Sequence, residues 1–457
     1  MKKAAGLIMV AMIASGCSFV PDYVRPKMRF GNAWGNSAAM PAGVSSSEVL
    51  VAKDWWRLFG SDELNGLVTQ ALNQNNDLVA AAERIKQARG SLKIATASLL
   101  PSVNAGVNAN SNRVDINNAS KDSVGASANA SYELDLFGAN RASRKAAKAA
   151  LAAAGYDRDA LALTTASDVA QNYFSLLALR ERIGFATDSL KASEQVLTLL
   201  ETRLRVGTVG LLEVSQQRSA VAQAQANVAS LNEQAATFKN ALAILAGTAP
   251  QDFTVSGTSV DSVAMPEVPL NPPATLLERR PDLRVAEENL IAANADIGAA
   301  RAAFFPATSL SAGLVQSFNP ALTGLNLGAA ALAPIFSGGA NAGALQTANA
   351  RQRELAANYR QAVLISFQDA SNALATLESA NIRHSSQTTA AESADTALRL
   401  AQAQLQAGTI DLPTLLNTQT TQLSARDAAT QAVADALNAR VELIRAMGGG
   451  WVGPIKD

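Results

Sequence analysis

Few residues in this chain have side chains able to do chemistry. There is one histidine, His384, and one cysteine, Cys17, in 457 residues. An internal disulfide framework and a Cys/His metal set are both excluded on that count. No Ser/His/Asp set, phosphate loop or metal-ligand spacing can be assembled from the rest, so no catalytic and no metal-binding residue is expected, and no enzyme. Cys17 is the exception. It follows "MKKAAGLIMVAMIASG", which is two lysines, a short apolar run from Ala4 to Ala14, and small residues up to Gly16. That is a signal peptide, too short to span a bilayer as a helix. Ala14-Ser15-Gly16 directly before a cysteine has the form of a bacterial lipobox, which implies cleavage after Gly16 and acylation of Cys17. No cofactor is expected beyond that covalent lipid. Ser18, in place of an acidic residue, fits sorting to the outer membrane of a Gram-negative cell.

Composition limits the partners. Lys and Arg balance Asp and Glu at 38 each, and no long basic run occurs, which argues against a nucleic-acid surface. The chain is 48% hydrophobic but only 5% aromatic, with alanine dominant. Such a sequence lacks bulk for a thick core, but its small residues let helices approach closely.

The elements that position everything else are written twice. "DLVAAAERIKQARGSLKIATASLLP" from Asp77 to Pro101 returns as "DLRVAEENLIAANADIGAARAAFFP" from Asp282 to Pro306, shifted by 205. Gly138, Gly207 and Gly247 stand 69 and 40 residues apart, and Gly339, Gly408 and Gly448 repeat both separations. This is a tandem repeat covering most of the chain. The copies differ between proline and glycine: Pro101 to Gly138 is 37 residues, Pro306 to Gly339 only 33.

Within a repeat the hydrophobic period changes. After a proline-bearing lead-in ending at "DWWRLFGSDEL", apolar residues at Leu64, Leu67, Val68, Ala71 and Leu72 predict a helix running to about Leu100, where Pro101 stops it. From Val124 to Leu136 apolar and polar residues alternate, which predicts a strand paired with Ser102 to about Ser111 across a turn at 113–122. The second copy has a weaker pair, Ala307 to Phe318 and Leu325 to about Leu332. Between Gly138 and Gly207 a proline-free stretch places Leu190, Leu197 and Leu204 at heptad spacing, as in coiled-coil packing. As one helix it would span on the order of 100 Å. Trp55 and Trp56 read as anchors of the lead-in, Arg279 and Arg280 as ion-pairing residues at the repeat junction, and Glu287-Glu288 as a solvated helix face. Trp451 is expected against the 248–275 link, or mobile.

Strands with one apolar and one polar face suit a membrane barrel with lipid outside and water inside. Four strands cannot close one, and open edges are prohibitive in lipid, so a barrel would have to be shared between chains. A soluble hairpin on a coiled-coil spacer is the other reading of the same pattern.

"CSFVPDYVRP" from Cys17, "DWWRLFGSDEL" from Asp54, "YELDLFG" from Tyr132, "RRPDL" from Arg279 followed by "AFFP", and the two Gly-Thr turns together resemble the TolC-like outer-membrane factors, in the lipoprotein branch that includes OprM and NodT. The resemblance implies a mainly α chain with a membrane β-barrel part: a homotrimer with a shared twelve-stranded β-barrel and a long α-helical barrel. Its implied partners are outer-membrane lipid, a periplasmic adaptor and an inner-membrane transporter, commonly of the RND type. The implied function is a passive duct exporting drugs or similar small molecules, with a protein-secretion exit duct or a periplasmic structural lipoprotein as alternatives. It assigns Gly207, Thr208, Gly408 and Thr409 to the periplasmic tips, where adaptors grip. Relatives often place two aspartates just beyond the second Gly-Thr. Here "GTIDLPTLLNTQ" puts Thr414 and Asn417 at those positions, leaving Asp411 as the nearest carboxylate, either a gate charge or a helix cap. The expected layout is a signal peptide 1–16, an extended segment 17–61, a first repeat 62–247 with its hairpin at 102–137, a link 248–275, a second repeat 276–448 with its hairpin at about 307–333, and a tail 449–457.

Overall fold

The computed structural model describes residues 18–28, 34, 44–45, 52–114, 119–270, 273–318 and 321–451. Cys17 lies outside the described residues, as do positions 115–118 of the expected turn. Among the described residues, seven helices carry most of the chain: α1 Asp62–Gln74, α2 Asn76–Ala97, α3 Ala139–Arg205, α4 Leu211–Leu245, α5 Pro281–Ala302, α6 Ala340–Gln406 and α7 Leu412–Ala446. A single helical turn at Leu276–Arg279 precedes α5. The repeat is visible in the lengths, since α3 and α6 both have 67 residues and α4 and α7 both have 35.

The strands among the described residues are β1 Val44–Ser45, β2 Ser102–Val114, β3 Ala119–Leu134, β4 Val268–Pro269, β5 Ala307–Phe318 and β6 Ala321–Leu332. β1 and β4 form a small parallel pair. The other four make one antiparallel sheet in the order β2-β3-β5-β6. Pairing reaches further than side-chain alternation predicts, taking in Arg113↔Ser120 and Phe318↔Ala321. Backbone hydrogen bonding continues here past the point where the alternation fades.

The chain divides into two compact units, each assembled from pieces of both repeats. One holds residues 1–28, 81–157 and 282–363 and includes the sheet. Its helices bury residues seven apart, Ala142, Ala149 and Tyr156 on α3 and Leu283, Leu290 and Ile297 on α5, the spacing of coiled-coil seams. The other unit holds 29–80, 158–281 and 364–457. Its core gathers Trp55, Phe59, Phe174, Leu176, Leu177, Leu242, Leu437 and Ile444. Trp55 is 1% exposed and meets Trp56 and Phe59 edge-on, so the lead-in is anchored by aromatic packing as expected.

The helix expected to run unbroken from 62 to 100 is interrupted at Asn75. Its ψ of 124° is extended, and its Oδ1 accepts from the N–H groups of Asp77 and Leu78, capping α2. Its Nδ2 donates to the Leu245 carbonyl at the end of α4. The second repeat makes the equivalent joint with different chemistry: Arg280 Nη1 donates to the Ala446 carbonyl at the end of α7, 3.4 Å away, and Arg280 pairs with Asp369 at 3.1 Å. At both joints a glycine with positive φ follows, and its bare Cα lies against backbone. A Cβ on Gly247 would stand 2.3 Å from the Gln74 carbonyl oxygen, and one on Gly448 2.5 Å from that of Arg279.

One further expectation needs correction. Glu287 is 5% exposed rather than solvated, because it receives the N-terminal segment, and Glu288 beside it is half-buried, with burial pushing its carboxyl up. Trp451 is held on α3, donating to Asp159 Oδ2 at 2.9 Å. The link itself is ordered into the core through Phe253, Val255, Val260, Val263 and Val268.

Candidate functional site

The two Gly-Thr turns close the long helices by one device. Gly207 and Gly408 both adopt φ 74°. The Thr208 and Thr409 N–H groups donate back to the Arg203 and Gln404 carbonyls at 3.0 Å, and each threonine hydroxyl donates to the same oxygen. This is a Schellman-type stop, which needs a residue free to take positive φ. All four residues are exposed.

The helices that leave the turns start differently. Gly210 precedes α4 with no side-chain cap. Asp411 caps α7, its Oδ1 accepting from the Thr414 N–H at 3.0 Å, with Pro413 in the first turn. Hydrogen bonds from the Thr414 hydroxyl and N–H hold the Asp411 carboxyl below the usual carboxylate range. Asp411 and Thr414 are therefore brought together in one cap, while Asn417 is exposed on the next turn. Behind the turns the helices are tied by ion pairs: Arg218 with Glu201 at 2.7 Å, Arg426 with Asp395 at 2.8 Å, and Arg182 with Asp427 at 2.6 Å.

The sheet sorts its side chains by chemistry. Val103, Val107, Leu310, Leu314, Leu325 and Leu327 share one face, and Val107 and Leu327 are 80% and 77% exposed. The opposite face carries Asn104, Asn108, Ser127, Asn129, Ser131, Ser309, Ser311 and Asn326 among glycines and alanines, with Val315, Leu322 and Leu332 as its larger apolar members. Polar groups there lie flat across glycines of the next strand. A Cβ on Gly125 would meet Asn108 Oδ1 at 3.3 Å, one on Gly313 Asn129 Oδ1 at 2.9 Å, and one on Gly328 Ser311 Oγ at 2.8 Å. The edge strands β2 and β6 have no sheet partner on their outer sides among the described residues.

The segment next to Cys17 is strapped down. Phe19 stacks on Phe305 and Phe137, with centroids 4.5 and 6.3 Å away. Val20 lies on α5 at Gly298, where a Cβ would fall 2.4 Å from its Cγ2, and Asn294 donates to the Pro21 carbonyl. Arg25 then grips Glu287 with both arms, at 2.6 and 2.8 Å, while Arg284 takes the second oxygen at 2.7 Å and Tyr23 donates at 3.3 Å. Burial, then the Glu287 charge, drive the Tyr23 phenol well above its ordinary value. Sequence reasoning missed Glu287 and Gly298. A glycine in mid-helix was the available signal for the second.

Comparison with known proteins agrees with this geometry. The family model described as "Outer membrane efflux protein" matches residues 67–248 and 273–449. The chain is 37% identical to the pyoverdine export outer membrane protein OpmQ of Pseudomonas aeruginosa, over 98% of this chain and 97% of that one. It is 30% identical to the cation efflux system protein CusC of Escherichia coli K12, over 96% and 98%. The open state of the Neisseria gonorrhoeae MtrE outer membrane channel superposes with a TM-score of 0.86 at 28% identity, covering 95% of this chain and 98% of that one. On its own motifs, its strand faces and these likenesses, the chain belongs to the outer membrane efflux protein family.

Proposed function

We propose that this protein is the outer-membrane duct of a tripartite efflux system, a passive trimer that carries small molecules outward and does no chemistry on them. The observation that carries the reading is the four-stranded sheet, with an exposed apolar face, an amide- and hydroxyl-lined face, and two open edges. Unpaired strand edges are not tolerated in lipid, so the edges of β2 and β6 must meet those of other copies. Three copies give twelve strands, enough for a closed barrel. A soluble spacer would have no use for Val107 and Leu327 in water.

Cys17 carries the lipid, and the strap from Phe19 to Arg25 fixes where that lipid enters the membrane. The Gly207-Thr208 and Gly408-Thr409 turns are the contact points for a periplasmic adaptor, which links the duct to an inner-membrane transporter of the RND type. Export of pyoverdine and of cations by the relatives named above supports small solutes as cargo. Asp411, Thr414 and Asn417 belong to the gate at the second turn. Single-channel recording tests both layers. Discrete conductance steps are expected from the wild type. Asp411→Ala, which removes cap and charge, is expected to open more often, and Asp411→Asn, which keeps a capping oxygen, is expected to resemble wild type if the cap is what holds the turn. Identical gating in all three would remove Asp411 from the gate.

A further inference from the structure

The described strand side chains, at 102–110, 124–134, 307–318 and 321–332, include a single ionisable carboxylate or base, Glu133. It sits on the polar face, in register with Ser309 and one residue before the end of β3, where the strand gives way to α3. Its side chain is exposed. Its neighbours on that face are Ser131, Ser309, Ala307, Ala330 and Leu332, none of them charged, and further along the sheet amides and hydroxyls lie flat over Gly125, Gly313 and Gly328. Asp135, just past the strand, is already engaged by Arg141 at 3.1 Å and by the N–H groups that open α3. Charges at Arg113, Lys121 and Asp122 stand toward the other end of the hairpin, with side chains outside the described set.

We propose that Glu133 sets the charge preference of the exit barrel. The proposal rests on the duct reading above, because the polar face must line water. Short, flat, neutral side chains leave a wide bore with hydrogen-bonding walls and no competing fixed charge along most of its length. In that setting one ionised carboxylate per chain, repeated around the axis, is the dominant field at the inner end of the barrel. Water-filled passages lined by carboxylates concentrate cations and deplete anions. The cargo this favours is neutral or cationic and rich in hydrogen-bonding groups, and polyanions are disfavoured.

The test uses a reporter thiol on the same face. Ser131→Cys places it two residues along β3, roughly 7 Å from Glu133. Its labelling rates with a cationic and an anionic methanethiosulfonate of similar size are measured on the trimer in native membranes, as a ratio, and compared with the ratio for a free thiol. This readout samples the barrel from outside and does not depend on the gate. One carboxylate at that distance, in water at physiological salt, favours the cationic reagent by about two- to threefold, and three contribute more. Adding Glu133→Gln should return the ratio to the free-thiol value, and Glu133→Lys should invert it. A ratio unmoved by either substitution overturns the role of Glu133 while leaving the duct intact. A thiol at position 131 that neither reagent reaches overturns the water-filled barrel itself, and this proposal with it.

Discussion

Four glycines share nearly one backbone conformation and differ in what surrounds them, which allows a controlled perturbation. Gly207 and Gly408 have φ 74° and nothing within 4 Å of where a Cβ would stand, whereas Gly247 (φ 69°) and Gly448 (φ 91°) face carbonyl oxygens at 2.3 and 2.5 Å. Replacing any of the four by alanine costs about 1 kcal/mol for holding a Cβ at positive φ. At Gly247 and Gly448 the obstacle is backbone, which cannot rotate aside, so the joint between helix ends must shift. Forced overpacking adds about 1–3 kcal/mol, giving a total of about 2–4. At roughly 3 °C per kcal/mol, the turn variants should lower the melting temperature by about 3 °C and the joint variants by about 6–12 °C. The assay is loss of far-ultraviolet circular dichroism in detergent, with all variants heated at one scan rate. Equal shifts for all four would refute the claim that close backbone approach, rather than φ alone, requires glycine at the joints.

Two further outcomes follow from buried charge. Glu287→Gln removes the partner of two guanidiniums. Breaking a buried pair costs about 3–5 kcal/mol, which the 37% exposure of the Arg25 side chain reduces to about 2. Release of the strap should then raise the rate of thiol labelling at Val20→Cys by about 30-fold, since each 1.4 kcal/mol or so is a factor of about ten. An unchanged rate would show that the strap is held elsewhere. Glu63 is subject to burial, which pushes its carboxyl up, but bonds from the Ser256 hydroxyl and N–H, the Gly257 N–H and the Tyr173 hydroxyl outweigh it and hold the carboxyl below its ordinary value of 4.5. A depressed carboxylate contributes stability that is present above the unfolded value and lost as pH falls through the lower folded one. The wild type should therefore lose stability below about pH 4.5 more steeply than Glu63→Gln. Parallel profiles for the two proteins would contradict this.

Much of the fold was legible because its signals are local. Glycine spacing exposed the repeat, and alternation from Val124 to Leu136 exposed β3 together with its two faces. The Gly-Thr pairs marked the turns because a helix stop at positive φ leaves few residue choices. What stayed hidden depends on distant partners. Asn75 breaks a helix without proline or glycine, through a carbonyl at Leu245 that lies 170 residues away. Glu287-Glu288 looks like any solvated pair until Arg25, 262 residues earlier, arrives to neutralise it. Trp451 found Asp159 across 292 residues, beyond any pattern in its own neighbourhood. Asp411 was legible as a choice between cap and gate, and the geometry supplies the cap.

The central claim is that the sheet is one third of a barrel with lipid on one face and water on the other. Cysteine scanning along β6 tests it most directly, with single substitutions at Leu325, Asn326, Leu327 and Gly328 labelled in native membranes by a membrane-impermeant maleimide. Reaction is expected at positions 326 and 328 and protection at 325 and 327, with the pattern reversed for a lipid-soluble reagent. Equal labelling of all four positions would mean that both faces meet water, and would contradict the barrel.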